Sequence, residues 1–200
     1  MTIKKGKKVG YSATTISENI IEAMMEHDGA SYDKAQMVNV GWDLIPALAT
    51  DKVDALIGAY TNHELLMLQK EGYDVDYFDF TEFGVPDSDE LIFVAGNDTI
   101  EAKKPELQAF MRALKKGFDK ALEDPEAAIE TIFENEDNAY VLDKEIEIQS
   151  WALLQHYMVN KGDFGNLVVD DYVAFAKFLA DKGSIAKELT AEELVEDLSK

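Results

Sequence analysis

The sequence predicts an α/β protein in which a parallel-sheet lobe is followed by a largely helical region. Two observations predict this order. Up to about residue 80, short apolar segments alternate with amphipathic ones, whereas after residue 97 most apolar residues recur at helical spacing. The chain is therefore expected to be α/β up to about residue 80 and almost wholly helical after residue 97.

In the N-terminal part of the chain, predicted strands alternate with predicted helices. Strands and helices are expected in turn: a strand at 8–12, a helix after it, a strand at 36–40, a short helix at 41–49 and an apolar strand from Val53. This order predicts a parallel sheet with right-handed crossovers. A helix is expected to run from Glu64 to Gly72. The alternating segment "YDVDYFDF" (73–80) and the apolar segment "LIFVAG" (91–96) each predict a further strand. Helices are predicted at 104–122, 125–136, 143–158, 168–182 and 190–199.

Composition excludes several kinds of partner. The 200 residues are 46% hydrophobic and 30% charged, which is typical of a soluble globular chain. With 19 basic and 40 acidic residues, the net charge of −21 would repel phosphate backbones and anionic lipids, so nucleic acid is a poor partner. The sequence has no cysteine, no apolar run of bilayer length and no signal-peptide pattern at its start.

The motifs that would indicate catalysis or a metal are missing from the sequence. His27, His63 and His156 are scattered and do not pair at metal-ligand spacing, and no serine lies in a nucleophile elbow. We therefore expect no catalytic residue, no metal and no cofactor.

Polar residues follow each of the three predicted parallel strands. Ligands bind open parallel sheets at the carboxyl ends of the strands, where loops and helix N-termini meet. These three strand ends contribute seven candidate ligand-binding residues: Ser12 and Thr14, Gly41 and Trp42, and Tyr60, Asn62 and Glu64. For the first two strand ends, ordinary helix-cap and turn chemistry is the alternative.

The third strand end has a composition that would suit a flat, nitrogen-rich ring. Tyr60 offers an aromatic face for stacking, and Glu64 offers a carboxylate that accepts paired N–H donors. The alternative is structural: Glu64 would interact with the dipole of the helix it begins, and Tyr60 would lie in the core. Residue composition favours neither reading over the other.

Several stretches together resemble a known family. They are "KGKKVGYS", "VNVGWDLIPALATDKVDALIGAYTNHE" and "GVPDSDELIFVAGNDTI", followed by "FMRALKKGFDKALEDPEAAI" and "EIQSWALLQHYM". This series is similar to the extracytoplasmic solute-binding proteins of thiamine-precursor ABC importers, over nearly the whole chain.

The resemblance implies a two-lobed fold of the periplasmic-binding-protein type 2 class. It makes 6–82 the second lobe, 83–96 a linker and hinge strand, and 97–200 the helical C-terminal part of the first lobe. The strands and helices that open the first lobe in this family would precede Lys4 and are absent from the sequence. The resemblance implies an aminopyrimidine ligand, an ABC permease as partner and an extracytoplasmic location. Tyr60, Asn62 and Glu64 are then the main contacts, and Glu90 either faces the cleft or ends the linker.

Other functions fit the same architecture. One alternative is an enzyme of pyrimidine synthesis, against which the absence of cysteine and of clustered histidines argues. Another is a ligand-sensing regulatory domain, for which no adjoining helix-turn-helix segment is visible. If the opening part of the first lobe is absent, the apolar helix faces between 104 and 182 need cover, which predicts self-association.

Overall fold

The computed structural model describes residues 6–12, 15–136, 141–159 and 161–198. The chain forms two compact units. The first contains Met1–Asp87 and Asp171–Leu189, and the second contains Ser88–Asp170 and Thr190–Lys200. The strands are β1 (Lys8–Tyr11), β2 (Gln36–Asn39) and β3 (Ala55–Ile57), and the helices are α1 (Thr15–His27), α2 (Leu44–Ala49), α3 (Glu64–Lys70), α4 (Asn97–Glu123), α5 (Pro125–Glu134), α6 (Lys144–Val159), α7 (Val169–Asp181) and α8 (Ala191–Leu194).

The first unit contains a three-stranded parallel sheet in the order β2-β1-β3. In the central strand, Val9 is paired with Met37 on one side and with Ala55 on the other. The predicted alternation of strands and helices, and the parallel sheet, are confirmed. Because α1 connects β1 to β2 and α2 connects β2 to β3, the carboxyl ends of all three strands lie at the same edge of the sheet.

Both faces of the sheet are covered, as a parallel sheet requires. Val9 is 1% exposed and packs with Ile21, Met24 and Met25 of α1. The second apolar cluster contains Val40, Leu44, Ala47 and Val53. Alternate residues of β1 point to opposite faces, which explains why a short strand can anchor helices on both.

Helix α7 belongs to the core of the first unit. Phe175 and Phe178 pack against the cluster that contains Val9 and Met25. Just after this helix, the Lys182 Nζ donates to carboxylate oxygens of Glu22 at 2.8 Å and Glu26 at 3.0 Å. Partial burial alone would lower the pKa of Lys182, but the hydrogen bonds and charges of the two glutamates outweigh it and raise that pKa. The division into lobes at 6–82, 83–96 and 97–200 stays a prediction.

The second unit is helical. Phe118 of α4 is buried, stacks on Phe164 with ring centroids 4.3 Å apart, and meets Trp151 of α6 edge-on at 6.0 Å. Helix α4 is kinked at Lys103, where φ is −132°. The kink arises because Pro105, two residues later, lacks an N–H for the helical hydrogen bond and its ring crowds the preceding turn.

Two predicted strands are wrong. Residues 73–79 are irregular and lead into a short 3-10 turn at Phe80–Phe83, and residues 91–96 are irregular up to the start of α4. A strand needs a neighbour for its backbone hydrogen bonds, and no residue that the structure describes pairs with either segment. The predicted helix at 190–199 is also shorter, since α8 ends at Leu194. No helix among the described residues is long and apolar enough to span a membrane.

Candidate functional site

The ends of β1 and β3 bring Ser12 and Gly58 together. Tyr11 is paired with Ile57, so the residues that follow these two strands leave the sheet side by side. A Cβ atom added to Gly58 would lie 3.5 Å from the Ser12 Oγ. Gly58 also has a φ of +91°, which residues with a side chain rarely adopt. This backbone conformation favours glycine here and leaves the Ser12 hydroxyl beside the turn that leads to Tyr60.

The carboxylate of Glu64 is held by its own loop. The backbone N–H of Tyr60 donates to the Glu64 Oε2 at 2.8 Å, and the His63 Nδ1 lies 3.7 Å from the same oxygen. Glu64 begins α3, where a negative charge interacts favourably with the helix dipole. Its side chain is 16% exposed. The loop therefore fixes one oxygen of the Glu64 carboxylate by hydrogen bonding.

The structural alternative for this loop places Glu64 at the helix start and Tyr60 in the core, and only the first of these holds. Glu64 does lie in the first turn of α3, as that alternative requires. Tyr60 does not lie in the core, because 39% of its surface is exposed. Asn62 is partly buried between them. An aromatic face and a fixed carboxylate thus occur within one turn at the carboxyl edge of the sheet.

The end of β2 forms a tight turn with an exposed aromatic residue. The Asn39 Oδ1 accepts a hydrogen bond from the Gly41 backbone N–H at 2.9 Å, and Gly41 has a φ of +59°. Asparagine side chains commonly form this hydrogen bond to the backbone two residues further on in turns. Trp42 is 93% exposed. A side chain this large is seldom so fully exposed, which makes the indole available to a ligand or partner.

The other two predicted site residues are Thr14 and Glu90. Thr14 lies outside the described residues. Glu90 belongs to the second unit, where it is exposed, and its neighbour Asp89 lies 3.5 Å from the Lys161 Nζ. The assignment of all eight residues to a ligand site stays a prediction.

The sequence did not single out His63 as a partner of Glu64. In the structure the His63 side chain is 30% exposed, and its Nδ1 lies 3.7 Å from the Glu64 Oε2. Its position directly before Glu64 was the available signal. Among the residues that the structure describes, no group of three histidine, aspartate or glutamate side chains is placed to hold a metal ion.

Comparison with known proteins identifies sequences to which this chain is similar. A family profile described as NMT1/THI5 like matches residues 4–128. A protein of Halalkalibacterium halodurans named formylaminopyrimidine-binding protein is 31% identical over 190 residues, which are 94% of this chain and 58% of that protein. A protein of Haemophilus influenzae named putative thiamine biosynthesis protein is 33% identical over 189 residues, again 94% of this chain and 58% of the relative. The chain thus spans less than two thirds of the length of these relatives.

Proposed function

Because the chain belongs to the NMT1/THI5-like family, we propose that it binds a pyrimidine precursor of thiamine as the solute-binding component of an ABC importer. The name of the Halalkalibacterium halodurans relative supports an aminopyrimidine as the ligand, and formylaminopyrimidine is the first compound to test. The loop from Gly58 to Glu64 supports the same class of ligand by its chemistry.

The fixed carboxylate of Glu64 is the observation that carries this proposal. An aminopyrimidine presents an amine beside a ring nitrogen, and a carboxylate accepts hydrogen bonds from both when that nitrogen is protonated. The Tyr60 N–H holds the Glu64 Oε2 at 2.8 Å, so the carboxylate is oriented before the ligand arrives. The exposed Tyr60 ring can stack on the flat face of the pyrimidine.

Replacing the charge at residue 64 tests the proposal. Glu64→Gln keeps an oxygen for the Tyr60 N–H but removes the negative charge, so we expect the affinity for formylaminopyrimidine to fall about 10- to 100-fold. Glu71→Gln, an exposed glutamate at the other end of α3, is the matched control and should leave the affinity unchanged. Isothermal titration calorimetry measures both. Equal affinity of wild type and Glu64→Gln would remove Glu64 from the site.

About two fifths of the length of each relative lies outside the part that matches this chain, and that part would supply further ligand contacts. The titration is therefore run on the chain alone and on the chain mixed with the unmatched segment of the Halalkalibacterium halodurans relative. Tighter binding in the mixture is expected if both parts contribute to the cleft. Loss of affinity in Glu64→Gln must appear in whichever sample binds.

The importer role includes a permease partner and a location outside the cytoplasm. Both follow from the family resemblance, since solute-binding proteins of importers deliver their ligand to a membrane permease. Fractionation of the source cells tests the location, and recovery in the cytoplasmic fraction alone would contradict it.

A further inference from the structure

We propose that the Ser12 hydroxyl donates a hydrogen bond to a carbonyl oxygen of the ligand, and so makes the site selective for an aminopyrimidine that carries an acylamino group. The inference rests on the proposed function, because it concerns the same site. Ser12 directly follows β1, the central strand of the sheet. It therefore lies between the loop that follows β2 and the loop that follows β3, at the edge where parallel sheets bind ligands.

The space beside Gly58 is open, and the Ser12 hydroxyl borders it. A Cβ atom built on Gly58 would have the Ser12 Oγ at 3.5 Å and, apart from the adjoining residues of the chain, no other described heavy atom within 4 Å. The φ of +91° at Gly58 disfavours any residue whose side chain would fill this space. A small polar group of a ligand can therefore reach the hydroxyl from the side of Gly58.

The Ser12 hydroxyl lacks a partner within the described part of the chain. No hydrogen bond joins it to another residue that the structure describes. Ser12 is also partly buried, so its hydroxyl has reduced access to water. A polar group that is buried without a hydrogen bond is costly, and a ligand oxygen that accepts the Ser12 proton would remove this cost.

The neighbouring loops offer an acylamino group few other donors. The Glu64 carboxylate accepts hydrogen bonds from the amine and the protonated ring nitrogen, but it repels a carbonyl oxygen. The backbone N–H of Tyr60 donates to Glu64 at 2.8 Å, and that of Gly41 donates to Asn39 at 2.9 Å. With both of these N–H groups in use, the Ser12 hydroxyl is the donor that a carbonyl oxygen would meet beside Gly58.

Two compounds and one substitution test the inference on the intact chain. Formylaminopyrimidine carries an acylamino group, whereas 4-aminopyrimidine has an amine beside a ring nitrogen and no carbonyl. Ser12→Ala should weaken the binding of formylaminopyrimidine about 3- to 10-fold, the usual loss for one neutral hydrogen bond, and should leave the affinity for 4-aminopyrimidine unchanged. Isothermal titration calorimetry measures both affinities, with the chain alone and with the unmatched segment of the relative added.

Two further serine substitutions are the controls. Ser12→Thr keeps the hydroxyl and should retain the preference for formylaminopyrimidine. Ser31→Ala removes a hydroxyl that donates to Asp33. Ser31 lies between α1 and β2, near the opposite edge of the parallel sheet, so its substitution should change neither affinity.

Glu64→Gln separates this inference from the proposed function, because it should weaken the binding of both compounds. If Glu64→Gln weakens both while Ser12→Ala weakens neither, or weakens both equally, the carbonyl contact is overturned and the proposed function stands. Binding of neither compound by the wild type, in either sample, overturns both.

Discussion

At Gly10, the space beside the backbone decides which residue the central strand accepts. A Cβ atom there would lie 2.9 Å from the Leu56 Cδ2 and 3.1 and 3.3 Å from the two methyl carbons of Val53. Gly10→Ala is therefore expected to lower the free energy of unfolding by about 1–3 kcal/mol, the usual cost of overpacking. Gly117→Ala is the control, because its Cβ would meet nothing within 4 Å and alanine favours the helix. Urea unfolding measures both, and an unchanged midpoint for Gly10→Ala would contradict the expected clash.

The sequence predicted which residues make up the candidate site better than it predicted the contacts between them. Tyr60, Asn62 and Glu64 could be grouped from the sequence because a strand end and a helix start bracket them within a few positions. The hydrogen bond from the Tyr60 N–H to Glu64 could not be foreseen, since it depends on how the loop folds back. The closeness of Ser12 to Gly58 likewise depends on strand pairing between distant parts of the chain.

At the scale of elements, Lys182 connects the end of α7 to α1. Its Nζ is shared by Glu22 and Glu26, and its side chain is 19% exposed. Lys182→Gln should lower the free energy of unfolding by about 1 kcal/mol at pH 7, as for a partly buried ion pair with two partners. Lys52→Gln, at an exposed residue outside this group, is the control.

The contribution of Lys182 should depend on pH. Its folded-state pKa is raised by the two glutamates against the opposing effect of burial. A raised pKa means that the stabilisation is complete below the unfolded-state pKa, about 10.4, and is lost as pH rises through the folded-state value. Urea unfolding of wild type and Lys182→Gln from pH 7 to pH 11 should therefore give curves that converge at the alkaline end. A constant gap across this range would contradict the ion pair as the cause.

Helices were more predictable from the sequence than strands. A helix forms its hydrogen bonds locally, so apolar spacing alone located α4 to α7 to within a few residues, apart from the start of α4. A strand requires a partner that the local pattern does not reveal. The segments at 73–80 and 91–96 both read as strands, and neither has a neighbour among the described residues.

For the whole molecule, exposed apolar surface favours self-association and net charge opposes it. Exposed apolar residues occur on both α5 and α6, including Ile132, Ile148 and Tyr157 at 51%, 49% and 53%. Such residues favour the self-association that the sequence predicts. The net charge of −21 opposes it, because two copies repel each other at low ionic strength.

Salt should therefore control the association of this chain. In about 20 mM NaCl the charge is poorly screened, and light scattering should give a mass near the 22.4 kDa of a monomer. In about 500 mM NaCl the screening length falls to a few ångströms, and the mass should rise with protein concentration because apolar contact is no longer opposed. Ile148→Gln should reduce this rise without changing the charge, whereas Ile16→Gln, at an exposed isoleucine of α1, should not. A mass that stays at the monomer value at every salt and protein concentration would show that these helix faces do not associate.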